Sequence, residues 1–254
     1  MRAPHRFAYA QARAQARHGE RLGETDWQVL EAARSPEIYL DRARLTSLRR
    51  FTERLDAQMD AHAIERGLRA AWRSYVREIA DWMPQGWRPA VEWCAYFPDL
   101  AIIEGLVSRR FLPDWAAEDP VFAALIESRR PATHRGAPDG LPPLEPLSTA
   151  DGPITARWLS RWQSLWPGAT APLELASLAA AVVGAFTELQ RTAATTARCR
   201  RELALVFVHH FRRSSGTAAA IFCHLGLVVI DIERARGAIL RRLLFATDAE
   251  RGAP

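Results

Sequence analysis

From Pro172 to Arg213 the chain runs for about 42 residues with no internal proline and a single glycine, Gly184. Proline removes a backbone donor and clashes with the preceding helical turn, so its absence over this length lets a helix propagate. At about 1.5 Å per residue the stretch predicts a helix of about 60 Å. Ser214-Ser215-Gly216 reads as a turn, and Thr217 to about Phe245 as a last helix. Two such helices joined by a tight turn predict a long antiparallel hairpin with an apolar seam.

Elsewhere the punctuation is also helical. Thr25-Asp26-Trp27-Gln28 has capping-box spacing. Ser35-Pro36 and Asp119-Pro120 each place a capping side chain before a proline at the first helical position. Leu48, Phe51, Leu55 and Met59 keep helical spacing, and Ile64, Leu68, Trp72, Tyr75 and Ile79 do so over a longer run. Trp158, Trp162 and Trp166 follow at intervals of four, a pattern that places them as core or interface anchors. Pro131 to Pro153 holds six prolines and three glycines and predicts an exposed linker. The expected fold class is therefore all-α, a multi-helix bundle with the long C-terminal hairpin. Its expected division is an N-terminal helical domain over 1–130, a linker over 131–153 and a C-terminal hairpin region over 154–254.

All 34 basic residues are arginine, against 29 acids. A chain without lysine has no phosphate-loop lysine, no Schiff-base amine and no Ser-Lys dyad, and arginine cannot substitute because it keeps its proton. No H-E-x-x-H, C-x-x-C, G-x-S-x-G or G-x-G-x-x-G occurs, nor any Glu-x-x-His pair. Cys94, Cys199 and Cys223 are odd in number and widely spaced, which does not form a disulfide framework. The most apolar run, Ala218 to Ile230, is about 13 residues and too short to span a bilayer. The N-terminal residues lack an apolar signal core. A reduced, cytoplasmic protein is expected, one that reaches an inner membrane only through a partner.

Two arginine arrays stand out. Tyr9, Arg13, Arg17 and Arg21 succeed each other at spacing four, an aromatic group beside a row of guanidiniums. Arg191 to Arg213 carries six arginines against one acid, Glu202. Tyr9, Arg13, Arg17, Arg198, Arg201, Arg212 and Arg213 are the expected partner-binding residues. Their chemistry suits acidic protein faces, and also phosphates. His209, His210, Cys223 and His224 flank the expected turn, where imidazole and thiol could meet around a metal. The ligand spacing matches no standard metal pattern.

The first 80 residues resemble the start of the AC39-like family of V-type ATPases, the C/d-type proteins of the central stalk. The resemblance rests on Phe7-Ala-Tyr-Ala-Gln-Ala-Arg13 continuing to Arg17, then Leu22, Trp27 to Ala33 and Pro36 to Arg44, then Leu48 to Met59 and Ala61 to Trp82. Asp231-Ile-Glu-Arg-Ala-Arg236 is similar to the arginine-bearing helix that closes a family repeat. Membership would imply an all-helical, non-enzymatic socket joining a rotor stalk to a membrane ring. The chain departs from that family in its length, its proline-rich segment and its long C-terminal helices. The function expected is a non-catalytic adaptor or stalk-type component that docks on protein subunits and needs no cofactor. The alternatives are a metal-binding protein or enzyme using the four His/Cys residues, and an arginine-dependent nucleic-acid binder.

Overall fold

The computed structural model describes residues 7–108, 114–127, 142, 144, 147, 152–168, 172–192 and 196–251. Among them every regular element is a helix, and none is long and apolar enough to cross a membrane. The α-helices are α1 (Ala8–Gly19), α2 (Glu24–Glu31), α3 (Pro36–Arg44), α4 (Arg49–Thr52), α5 (Ala61–Trp82), α6 (Arg88–Glu92), α7 (Leu100–Val107), α8 (Asp114–Glu118), α9 (Pro120–Glu127), α10 (Ile154–Ser164), α11 (Leu173–Thr192), α12 (Thr196–Arg213) and α13 (Ala218–Arg251). Short 3₁₀ segments cover Gln85–Trp87 and Trp93–Asp99.

The punctuation accounts for many of these boundaries. Ser35 Oγ accepts from the Ile38 amide at the start of α3, and Asp60 Oδ1 accepts from the Ala63 amide at the start of α5. Asp119 Oδ1 accepts from the Val121 amide at the start of α9. At α2 the structure differs from expectation. The helix starts two residues early, at Glu24, and Asp26 reaches back to the Gly23 amide. The run from Leu48 to Met59 is not one helix, because after α4 the chain turns back and Leu55 settles against Gly67 on α5. A Cβ on Gly67 would come within 2.5 Å of a Leu55 methyl, so glycine permits that approach.

The single helix expected from Pro172 to Arg213 is two helices, α11 and α12, with 193–195 outside the described residues. On one straight helix Leu178 and Phe207 would lie about 43 Å apart. Instead both line one apolar cavity of about 50 Å³, with Trp72, Trp158, Trp162 and Phe222. The chain therefore folds back between them. α12 then runs antiparallel to α13: Arg200 reaches the Glu233 carbonyl and Phe207 covers Gly226. Gly216, at φ +79°, makes the intervening turn, and its amide donates to Gln11 Oε1 on α1.

α13 also packs against α1, α3 and α5, and one core cluster extends from Ala10 to Ile239. Trp158, Trp162 and Trp166 are buried within it, Trp162 lying edge-on to Phe222. Most of 131–153, expected as an exposed linker, lies outside the described residues. Within it Leu144 and Leu147 are buried, and the Pro142 carbonyl accepts from the Tyr96 hydroxyl. A branched ionic cluster sits in the same core. Arg69 and Arg73 both donate to Asp99, Arg73 also to Asp119, and Arg69 to Glu65, which Arg236 of α13 meets from the other side.

Candidate functional site

The N-terminal arginine row is only partly open to solvent. α1 lies along α5 and α13, and of its arginines Arg17 is largely enclosed while Arg13 stays exposed. The Arg17 guanidinium meets Glu78 at 2.5 Å and stacks over Tyr75 and Trp82 at 5.0 and 4.5 Å. Arg21 makes a two-pronged pair with Asp231 of α13, at 2.7 and 2.8 Å. Arg13 lies over Trp82 and donates to the Tyr9 hydroxyl, so only Tyr9 and the edge of Arg13 face solvent. Arg17, expected as a docking residue, already has Glu78 and two ring faces as partners.

Arg198, Arg201, Arg212 and Arg213 of the second array face outward. α12 buries Cys199, Phe207 and Phe211 on one side. On the other side Arg198, Arg201, Leu205, His209 and Arg212 follow the 3.6-residue period as one exposed stripe. Leu205 is 71% exposed in the middle of it. Arg198 is tied to Glu202 one turn on. Arg201, Arg212 and Arg213 have no ion-pair partner among the described residues. In sequence the stripe does not show as a unit, because Leu205 carries no charge and His209 groups with the metal candidates.

Beside the stripe, α2 and α12 form the walls of a cleft of about 930 Å³ whose floor is α13. Arg21, Arg200, Arg201, Arg234 and Arg241 line it with Glu24, Glu31 and Asp231. Arg234 holds both Glu24 and Glu31 and lies 4.6 Å over the Trp27 ring. Arg241 has no ion-pair partner among the described residues.

His209, His210, Cys223 and His224 do not converge. Among the described residues no group of three or more His, Cys, Asp or Glu side chains could hold a metal ion. His209 points to solvent, and its ring lies edge-on to that of His210. His224 points into the core, where its Nε2 lies 2.6 Å from the Tyr75 hydroxyl. Burial, then His18, Arg21, Arg17 and Arg50, lower its pKa to about 3. Burial pushes the Cys223 thiol up to about 12. A protonated thiol on the buried side and an imidazole facing solvent share no coordination point.

No family model matches this chain, and no curated protein or solved structure does either. What the site can do therefore rests on its own geometry.

Proposed function

We propose that this chain is a non-catalytic helical adaptor that docks an acidic, amphipathic segment of a protein partner along the outer stripe of α12. The observation that carries the reading is Leu205, exposed between Arg201 and His209 on a helix whose opposite side is packed. Guanidiniums steer an acidic partner and speed encounter, while a desolvated apolar anchor slows release. The stripe offers both, at the spacing with which a second helix packs. The resemblance of the first 80 residues to central-stalk proteins supplies the kind of assembly, a membrane-associated complex built of protein subunits. In this reading α1 contributes Tyr9 at most, and the docking residues are Arg198, Arg201, Leu205, Arg212 and Arg213.

The test is a gentle pull-down from the native cell with the wild-type chain, Leu205→Asp, and Arg201→Glu with Arg212→Glu. Partners that stay with the wild type should be lost from both variants, with the helical spectrum and melting temperature unchanged. Recovery of the wild-type chain alone, or partners equally bound by both variants, would reject the adaptor reading.

A further inference from the structure

We propose that the cleft between α2 and α12 is a binding site for a small phosphorylated molecule, of nucleotide size and carrying at least two negative charges. The site adjoins the outer stripe of α12 and shares Arg201 with it, but its occupant is a small molecule, not a protein segment. At about 930 Å³ the cleft is far larger than a lone anion requires. It falls in the range of pockets that hold cofactor-sized ligands, about 300–1,000 Å³.

The charge balance inside the cleft points to the ligand class. Its three acids are already consumed. Asp231 takes both prongs of Arg21, and Glu24 and Glu31 share the guanidinium of Arg234. Three further arginines line the same space with no salt bridge among the described residues, Arg201 acting on Glu24 only at longer range. Arg201 and Arg241 have no ion-pair partner among the described residues, and the hydrogen bond of Arg200 is a 3.5 Å approach to the Glu233 carbonyl. These three come from two different elements, α12 and α13, so their fields overlap within the cleft rather than along a surface. Five arginines against three acids leave a surplus of two positive charges. Separated single carboxylates would satisfy such a surplus poorly. Phosphate concentrates charge in a small volume and matches the planar fork of guanidinium.

The cleft also has room for the rest of such a molecule. Ala197, Ala204, Gly237 and Ala238 line it, and a Cβ added at Gly237 would meet nothing within 4 Å. Bulkier residues at those places would fill the space. Arg234 of the floor is held by its carboxylates and by Trp27, and Arg21 at the edge of the cleft by Asp231.

The test is calorimetric titration of the full chain with pyrophosphate and with ATP, at near-physiological salt and without added metal. Saturable one-to-one binding is expected. Arg200→Gln with Arg241→Gln should weaken it by about tenfold or more, since each removes a charge-assisted contact. Arg212→Gln with Arg213→Gln removes the same formal charge outside the cleft and should change affinity by no more than about twofold. Exposed Arg241→Gln alone keeps the test valid if the double variant unfolds. Absence of saturable binding with both probes, or equal weakening by both double variants, overturns the proposal. So does binding of an oligoglutamate peptide in place of both phosphate compounds. Partner capture by Arg241→Gln separates the two readings, since a failed titration leaves docking through Leu205 untouched.

Discussion

The Tyr75 hydroxyl and Nε2 of His224 lie 2.6 Å apart in the core, joining helices whose contributing residues are 149 positions apart. His224 is completely buried, and its Nδ1 has no partner. Burial and the surrounding His18, Arg21, Arg17 and Arg50 hold the ring neutral, with its pKa lowered to about 3 from the ordinary 6.5. The unfolded chain therefore takes up a proton at a pH where the folded one does not. Stability is fully present above pH 6.5 and is lost as pH falls toward 3. By pH 5 the loss from this ring is about 2 kcal/mol. His224→Phe removes that slope and takes one buried hydrogen-bond partner from the Tyr75 hydroxyl, which costs about 1–3 kcal/mol at neutral pH. Urea midpoints at pH 7.5 and pH 5 should show the gap between wild type and variant narrowing in acid. A gap that stays constant would contradict the assignment.

Asp99 ties the end of the Trp93–Asp99 segment to α5 through charge. Wholly buried, it accepts from Arg69 at 2.7 Å and from Arg73 at 2.9 Å, and Arg73 also grips Asp119 at the start of α9. Asp99→Ala leaves two buried guanidiniums short of an acceptor, a loss of about 3–5 kcal/mol. Against a total stability of about 5–15 kcal/mol, that places the variant near its unfolding limit. Asp99→Asn keeps an acceptor oxygen and should lose less. Equilibrium urea unfolding measures both, and a loss below about 1 kcal/mol for Asp99→Ala would contradict the ionic account.

Two glycines on α13 predict opposite outcomes. At Gly226 an added Cβ would stand 2.5–2.7 Å from three atoms of the Phe207 ring, whereas at Gly237 it would meet nothing within 4 Å. Gly237→Ala should gain the helix-propensity difference, about 1 kcal/mol. Gly226→Ala should lose about 1–3 kcal/mol by overpacking, and Phe207→Leu on that background should recover part of it. Melting temperatures moving the same way in both variants would show that α12 is not seated on α13 as described.

The elements legible in the sequence are those whose signals are local. Ser35-Pro36 and Asp119-Pro120 mark helix starts with a side chain and a ring that act within a few residues, and the Trp158, Trp162 and Trp166 spacing marks a buried face. The break between α11 and α12 carries no such signal. No proline or glycine stands between Thr192 and Thr196, and the return is set by Leu178 and Ala179 reaching the same apolar space as Phe222 and Leu225. The two arginine arrays read alike for the same reason. What separates them is Glu78 and Asp231, 61 and 210 residues away from Arg17 and Arg21. Pattern within one helix cannot register a carboxylate delivered by another.

That contrast yields a paired prediction. Arg17 on α1 is largely enclosed, with Glu78 on its fork and the rings of Tyr75 and Trp82 on its faces. Arg201 on α12 is exposed and has no ion-pair partner among the described residues. Arg17→Ala removes two ring contacts and two charge-assisted hydrogen bonds and should lower stability by about 1–2 kcal/mol. Arg201→Ala removes nothing the fold relies on and should stay within about 0.5 kcal/mol of wild type. Under mild conditions, where Arg17→Ala is still folded, partner capture should follow the reverse order, retained by Arg17→Ala and reduced by Arg201→Ala. Thermal melts and pull-downs on the same two proteins decide it. If Arg201→Ala melts early, or if Arg17→Ala sheds the partner while its helical spectrum is intact, the division of labour between the arrays is wrong, and the docking face lies on α1.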